Sequence, residues 1–140
     1  MIVLDTNVIS ALMRSQPDPV VVAWVNDQPE PSLWTTSLTV YEIEYGLALL
    51  PRGRKRGRLT QAWELALRED LGARILDLDA PAARDAAAFS AAQRAAGQVA
   101  DVRDALIAGI VTARKATLAT GNTRHFEHAG VRVVDPWRPA

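Results

Sequence analysis

A chain of 140 residues that is 49% hydrophobic can bury one sizeable core, and one domain spanning 1–140 is expected. Sixteen Lys and Arg balance sixteen Asp and Glu, so any nucleic-acid binding must come from local clusters of charge, because a global field is absent. The absence of cysteine excludes disulfides, thiolate metal sites and cysteine nucleophiles. No apolar run approaches the roughly 20 residues needed to span a bilayer, and a soluble cytoplasmic protein with no membrane partner is expected.

In chain order, Ile2, Val3 and Leu4 form a short, β-branched apolar run that stops at Asp5, the pattern of a buried strand ending in a polar residue. Residues 7–14 suit a helix, Pro17 and Pro19 interrupt the chain, and residues 20–27 suit a second helix closed by Pro29 and Pro31. A strand is predicted over 33–36, and Ser37 can cap a helix over 38–50 that Pro51 ends. Residues 52–58, Arg-Gly-Arg-Lys-Arg-Gly-Arg, read as a basic connection leading into a helix over 59–71. A strand over 74–78 and an alanine-rich helix over 80–96 stopped by Gly97 follow, then a helix over 101–114. Short strands over 117–120 and 131–134, with one helical turn over 123–127 between them, complete the series. Strands alternating with helices predict an α/β fold, a mostly parallel sheet covered on both faces. Ligands of such sheets bind outside the carboxyl ends of the strands, where Asp5 and residues 120–122 would lie.

Three carboxylates stand out. Asp5 ends the first strand and either caps the next helix or presents its charge at that edge. Glu42 shares helical spacing with Leu38, Tyr45, Gly46 and Leu49, a stripe expected to face the core; a capping box with Thr39 is the competing explanation, and Glu44 is assigned to surface contacts. Asp104 precedes Ile107, Ala108 and Val111 at helical spacing, while Asp101 makes the better N-cap. Core-facing carboxylates resist ionisation unless something positive sits among them, and a hard divalent cation, Mg²⁺ or Mn²⁺, suits an all-oxygen set. His125 and His128 lack a third partner for a zinc site.

The segments Met-Ile-Val-Leu-Asp5-Thr6-Asn7, Thr39-Val40-Tyr41-Glu42, Asp104-Ala105-Leu106-Ile107-Ala108 and Leu118-Ala119-Thr120-Gly121-Asn122, in this order, resemble the PIN-domain family, and within it the VapC and FitB-type toxins. The resemblance runs from Met1 to Trp137. It implies a three-layer α/β/α sandwich and a Mg²⁺- or Mn²⁺-dependent endoribonuclease leaving 5′-phosphate and 3′-hydroxyl ends, with Asp5, Glu42 and Asp104 as the metal-binding acids. It further implies a bacterial toxin–antitoxin system, a homodimer, and a small antitoxin that covers the acidic site and carries the pair to operator DNA. Thr6 lies where the family often places a supporting hydroxyl. Asn122 departs from the pattern, since many relatives have an aspartate at or just after this position, and His125 stands where an acid often precedes the phenylalanine. An asparagine adds no negative charge, so one tightly bound ion is expected.

The hypothesis from the sequence is in-line attack of an activated water on an RNA phosphodiester, with Asp5 and Asp104 holding the ion and Glu42 binding it or positioning the water. Arg52, Arg54, Lys55, Arg56 and Arg58 are candidates for contact with the RNA backbone, or simply a solvated segment. Trp24, Trp34 and Trp63 are either interface or core. A haloacid-dehalogenase-type phosphatase is disfavoured by Asn7, where that chemistry needs a second aspartate, and no glycine-rich nucleotide fingerprint occurs. The alternative from another class is a catalytically weak binding module acting with its antitoxin on operator DNA, which Asn122 and His125 would favour.

Overall fold

The computed structural model describes residues 1–99, 101–127 and 130–139. His128, considered above as a metal ligand, lies outside them. The described chain forms β1 (Ile2–Leu4), α1 (Thr6–Leu12), α2 (Pro19–Asp27), β2 (Leu33–Thr36), α3 (Ser37–Leu49), α4 (Arg54–Leu65), β3 (Ile75–Leu76), α5 (Ala80–Ala95), α6 (Val102–Ala113), β4 (Thr117–Ala119) and β5 (Arg132–Val134). A short 3₁₀ turn, Thr123–Phe126, separates the last two strands.

Every pairing in the sheet is parallel, in the order β3-β2-β1-β4-β5. The chain winds outward from β1 through β2 to β3, then crosses back to the other side of β1 for β4 and β5. The switch of direction falls between β1 and its neighbours, in register Val3 to Trp34 on one side and Val3 to Leu118 on the other. Two-residue periodicity assigns the faces. Leu4 and Ala119 pack with Val8, Ile9, Val21, Ile43 and Trp63 of α1–α4, whereas Val3 and Leu118 pack with Phe89, Ile107, Ile110 and Phe126 on the α5–α6 side. Helices on both faces of a parallel sheet make the three-layer α/β/α sandwich, as expected.

The helix caps are side chains of known type. Asp18, Asp79 and Asp101 each accept a hydrogen bond from a first-turn N–H of α2, α5 and α6, and Gly97 follows α5 with a φ of 75°. For α3 the cap is Thr36, whose Oγ1 accepts from the Thr39 N–H at 3.1 Å; Ser37 is already helical, which corrects the expected start.

A larger correction concerns residues 52–58. They are not a connection: α4 begins at Arg54, so Arg54, Lys55, Arg56 and Arg58 occupy its first turns. Cations at a helix N-terminus oppose the macrodipole, and Gly57 lowers propensity further, so the local sequence disfavours this start. Packing overrides it. Leu59, Ala62 and the buried Trp63 press on the α1–α3 side of the core, and Arg56 Nη1 donates to the Leu50 carbonyl at 3.3 Å.

The predicted strand over 74–78 contracts to Ile75–Leu76; just before it the Arg74 guanidinium donates to the Leu33, Glu30 and Asp70 carbonyls. Trp63 resolves as core, and its indole N–H donates to Glu44 Oε2 at 2.6 Å, so Glu44 anchors a core residue from the surface. Glu44→Ala is therefore expected to cost about 1–2 kcal/mol, read as a lower urea midpoint at unchanged m-value. A midpoint equal to wild type would mean the indole N–H is satisfied without Glu44.

Candidate active site

The C-terminal ends of β1 and β4 bring Asp5 and Thr120 together at the switch point. Asp5 is only 4% exposed, and its carboxylate is fixed from three directions. Its Oδ1 accepts from the Thr6 N–H at 2.8 Å, capping α1, and its Oδ2 accepts from Thr120 Oγ1 at 2.8 Å and Asn7 Nδ2 at 3.2 Å. Capping and site roles thus fall on one residue. A carboxylate offers about four lone-pair directions, so three bonds leave roughly one open.

Asn7 and Thr120 had no individual role assigned from the sequence, yet they tie the two strand ends together. Asn7 Nδ2 also donates to Thr120 Oγ1 at 3.1 Å, and its Oδ1 accepts from the Gly121 N–H at 3.0 Å. The signal available in the sequence was a hydroxyl residue closing an apolar strand just before a glycine, at the edge where ligands bind.

Glu42 lies along α3, but the stripe assigned to it is corrected. The buried residues of α3 are Thr39, Ile43 and Leu47, while Tyr45 and Leu49 are 53% and 68% exposed. Glu42 stands half-buried at the border of that face, past the first turn, so the capping box with Thr39 is excluded. Thr6 Oγ1 donates to Glu42 Oε1 at 3.2 Å and lies 3.0 Å from Thr39 Oγ1, which Thr36 Oγ1 approaches to 3.4 Å. A chain of threonine hydroxyls therefore runs through the α1–α3 junction and ends on the carboxylate.

Asp104, in the first turn of α6, sits half-buried above the buried Ile107, Ala108 and Val111, as its spacing predicts. Its Oδ2 is 2.8 Å from His125 Nδ1. Arg103 Nη1 reaches to 3.8 Å from Glu42 Oε2 and its Nη2 to 3.5 Å from Asp101. His125 is thus a neighbour of the acids, and Arg103 a cation at their rim that the sequence did not single out. Asn122 contributes its backbone N–H to Thr120 Oγ1 at 3.0 Å, while its exposed side chain joins none of the acids. Glu127 is exposed as well. Of the basic residues of α4, Lys55 alone lines a groove shared with Thr6 and Glu42.

All three carboxyls are pushed above their usual range, chiefly by burial. For Asp5 the hydrogen bonds from Thr120, Thr6 and Asn7 oppose the rise and the charge of Asp104 adds to it. For Glu42, Thr6 and Arg103 oppose while Asp5 and Asp104 add. For Asp104 the contact with His125 opposes. The acids therefore share one electrostatic site. Among the described residues, no three carboxylate or imidazole groups already close around one point at ligating distance. The all-oxygen chemistry of the three acids fits Mg²⁺ or Mn²⁺, which keep several waters and take one or two carboxylates directly, better than zinc.

The raised values set a sign for pH dependence. A carboxyl whose folded value exceeds its unfolded value contributes stability fully below the unfolded value, and that contribution is lost as pH rises through the folded one. In EDTA the stability advantage of Asp5→Asn over wild type should therefore widen as pH rises from about 4 toward 7, and Mg²⁺ should stabilise wild type more at pH 7 than at pH 5. Thermal melts across that range check it; a gap that narrows with rising pH would contradict the assignment. Asp101, whose carboxyl despite slight burial is held below its usual range by hydrogen bonds from Arg103, acts in the opposite sense, its contribution lost only as pH falls below 3.8.

The PIN domain family model matches residues 2–131. The chain is 38% identical over 140 residues to VapC ribonuclease Y4jK of Sinorhizobium fredii, covering 100% of both chains. It is 35% identical over 137 residues to toxin FitB of Neisseria gonorrhoeae, covering 98% of this chain and 99% of that one. Its fold superposes with a TM-score of 0.90 on a chain in a structure of FitAB bound to an IR36 DNA fragment, at 34% identity, covering 100% of this chain and 98% of the other.

Proposed function

Because the chain belongs to the PIN-domain family, we propose that it is a divalent-metal-dependent endoribonuclease, the toxin of a bacterial toxin–antitoxin pair, with Asp5, Glu42 and Asp104 as its metal-binding and catalytic acids. The observation that carries this reading is the convergence at one sheet edge of three carboxyls, each raised by burial and each within the field of another acid. A partly buried cluster of acids of this kind is costly to ionise without a cation, and a bound one accounts for it.

When bound, Mg²⁺ or Mn²⁺ supplies Lewis-acid activation of water and neutralises charge on the phosphoryl oxygens. The chain's own residues provide the rest. Asp5 is held by Thr6, Asn7 and Thr120, so its remaining lone pair points in one direction at no cost in ordering. Thr6 occupies Glu42 Oε1 and leaves Oε2 free to accept a proton from water once Arg103 turns to substrate. Among the described residues Asp104 keeps Oδ1 without a protein partner while His125 holds Oδ2. Asn122 has no place in this acid cluster, which supports a single tightly bound ion. Lys55 reaches the rim beside Glu42; Arg52, Arg54, Arg56 and Arg58 are assigned at most backbone contacts outside it.

The relative named toxin FitB and the solved structures of FitAB and VapBC bound to DNA support a protein antitoxin that binds this chain and operator DNA reached only through it; a homodimer in the cytoplasm belongs to the same proposal. No helix among the described residues is long and apolar enough to cross a membrane.

The test is cleavage of labelled RNA by antitoxin-free protein with Mg²⁺ or Mn²⁺ and with EDTA. Cleavage that needs the ion and stops on chelation is the expected result. Intact RNA under every metal condition, from a folded protein that binds antitoxin and operator DNA, would favour the binding-module reading instead.

A further inference from the structure

Beside the acids, between the ends of β4 and β5, lies a cleft of about 660 Å³, within the range of sites that hold small organic ligands. Asn7 and His125 form part of its wall and hydrogen-bond to Asp5 and Asp104 respectively, so the cleft borders the acids, none of which lines it. The outer wall carries Arg124 and Arg138, both exposed and both without an ion pair among the described residues. Asp135 is the one acid in the wall, and its Oδ1 accepts from the Trp137 N–H at 2.9 Å.

Trp137 is half-buried in the lining, and Gly121 packs against its ring: a Cβ there would lie 3.0 Å from Cζ3 and 3.1 Å from Cε3, so glycine lets the backbone approach the indole this closely. Asn122 and Thr123 line the same space, and their side-chain polar atoms have no partner among the described residues. An aspartate at position 122 would place a negative charge here; asparagine offers a neutral donor and acceptor.

We propose that this cleft is a nucleotide subsite for single-stranded RNA next to the scissile phosphate, with Arg124 and Arg138 taking backbone phosphates, Trp137 stacking on a base, and Asn122 reading that base's edge. It rests on the ribonuclease reading and adds to it where the strand lies. Unpaired guanidiniums beside an aromatic ring are the combination that single strands use, phosphate to cation and base to ring. The position answers why Asn122 is tolerated: it serves the substrate side of the site, not the metal side.

The experiment uses antitoxin-free protein in EDTA, where cleavage is off, and a fluorescein-labelled 12-nucleotide single-stranded RNA read by anisotropy across a salt series. Arg124→Ala and Arg138→Ala are each expected to weaken binding by about fivefold or more and to lower the salt slope by about 0.7 for each phosphate no longer neutralised. Arg114→Ala, on the opposite edge of the sheet, serves as the control for removal of one charge. Trp137→Leu, checked for folding because the ring also packs on the core, should weaken binding by a similar factor, and Trp137→Phe should recover most of it. Arginine variants indistinguishable from Arg114→Ala, in a protein that still binds RNA and cuts it with Mg²⁺, would overturn the subsite and leave the ribonuclease standing, as they would if the cleft served an antitoxin segment. A folded wild type that neither binds nor cuts RNA would overturn both.

Discussion

Asp5→Asn is expected to leave the protein folded and to lower metal-dependent RNA cleavage by about a thousandfold or more, the scale set by losing several kcal/mol of transition-state stabilisation. The substitution keeps the shape of the side chain, and its remaining carbonyl oxygen can still cap α1 through the Thr6 N–H. Thr120 Oγ1 already accepts from Asn7 Nδ2 and from the Asn122 N–H, so it can accept from the new amide only by releasing one of these donors, a cost of about 1 kcal/mol that the fold tolerates. What disappears is a charge in a desolvated position, which relieves the apo protein. Asp5→Ala would be a poorer test, since it also removes the cap, worth about 1 kcal/mol, and strands two buried donors. Circular dichroism and a thermal melt establish the fold, and single-turnover cleavage with saturating Mg²⁺ reads the chemistry. Activity within about tenfold of wild type would remove Asp5 from the centre of the mechanism.

The order of strands and helices was legible because most strands carry an apolar run and most breaks are marked by Pro, Gly or a capping acid. Asp5 and Asp104 were legible for the same reason: each is a charge attached to an otherwise apolar pattern. Glu42 was found by a stripe that turned out to face outward, through Tyr45 and Leu49, and it reaches the site because it stands at the edge of the true buried face of Thr39, Ile43 and Leu47. Tertiary contacts hid the remainder. Arg and Lys form helices well, but at residues 54–58 they oppose the macrodipole and flank Gly57, so the start was not announced locally; Leu59 and Trp63, packed into the core, impose it. The hydroxyls of Thr6, Thr36 and Thr39 meet from segments up to 33 positions apart, and Thr120 reaches Asp5 across 115, so no spacing could announce them. Arg103 and His125 likewise acquire meaning only when α6 and the 123–126 turn are brought to the same edge.

The alanine-rich character of α5 was read as helix propensity alone, but it also sets how closely α6 can approach, and Gly109 is where this is felt. A Cβ at Gly109 would collide with the Ala82 carbonyl oxygen and come within 2.7 Å of both Cβ and N of Ala86. Two of those three atoms are backbone and cannot rotate away. In a helix, Gly→Ala gains roughly 1 kcal/mol of intrinsic propensity, whereas overpacking a rigid contact costs about 1–3 kcal/mol and sometimes more, so the sign depends on what the methyl meets. At Gly109 the collision wins: Gly109→Ala is expected to destabilise by about 2 kcal/mol or more, and Gly109→Val to fold poorly. Gly46, in the middle of α3 with nothing within 4 Å of its added Cβ, is the contrast, and Gly46→Ala should stabilise by about 0.5–1 kcal/mol. Asp104 lies five residues before Gly109 on α6, so pushing the helices apart also moves a site carboxylate, and cleavage by Gly109→Ala should fall even below its unfolding temperature. Urea denaturation of the two glycine variants side by side decides the matter. Equal stabilisation at both positions would mean that α5 and α6 do not meet at Gly109, and that the register placing Asp104 beside Asp5 is wrong.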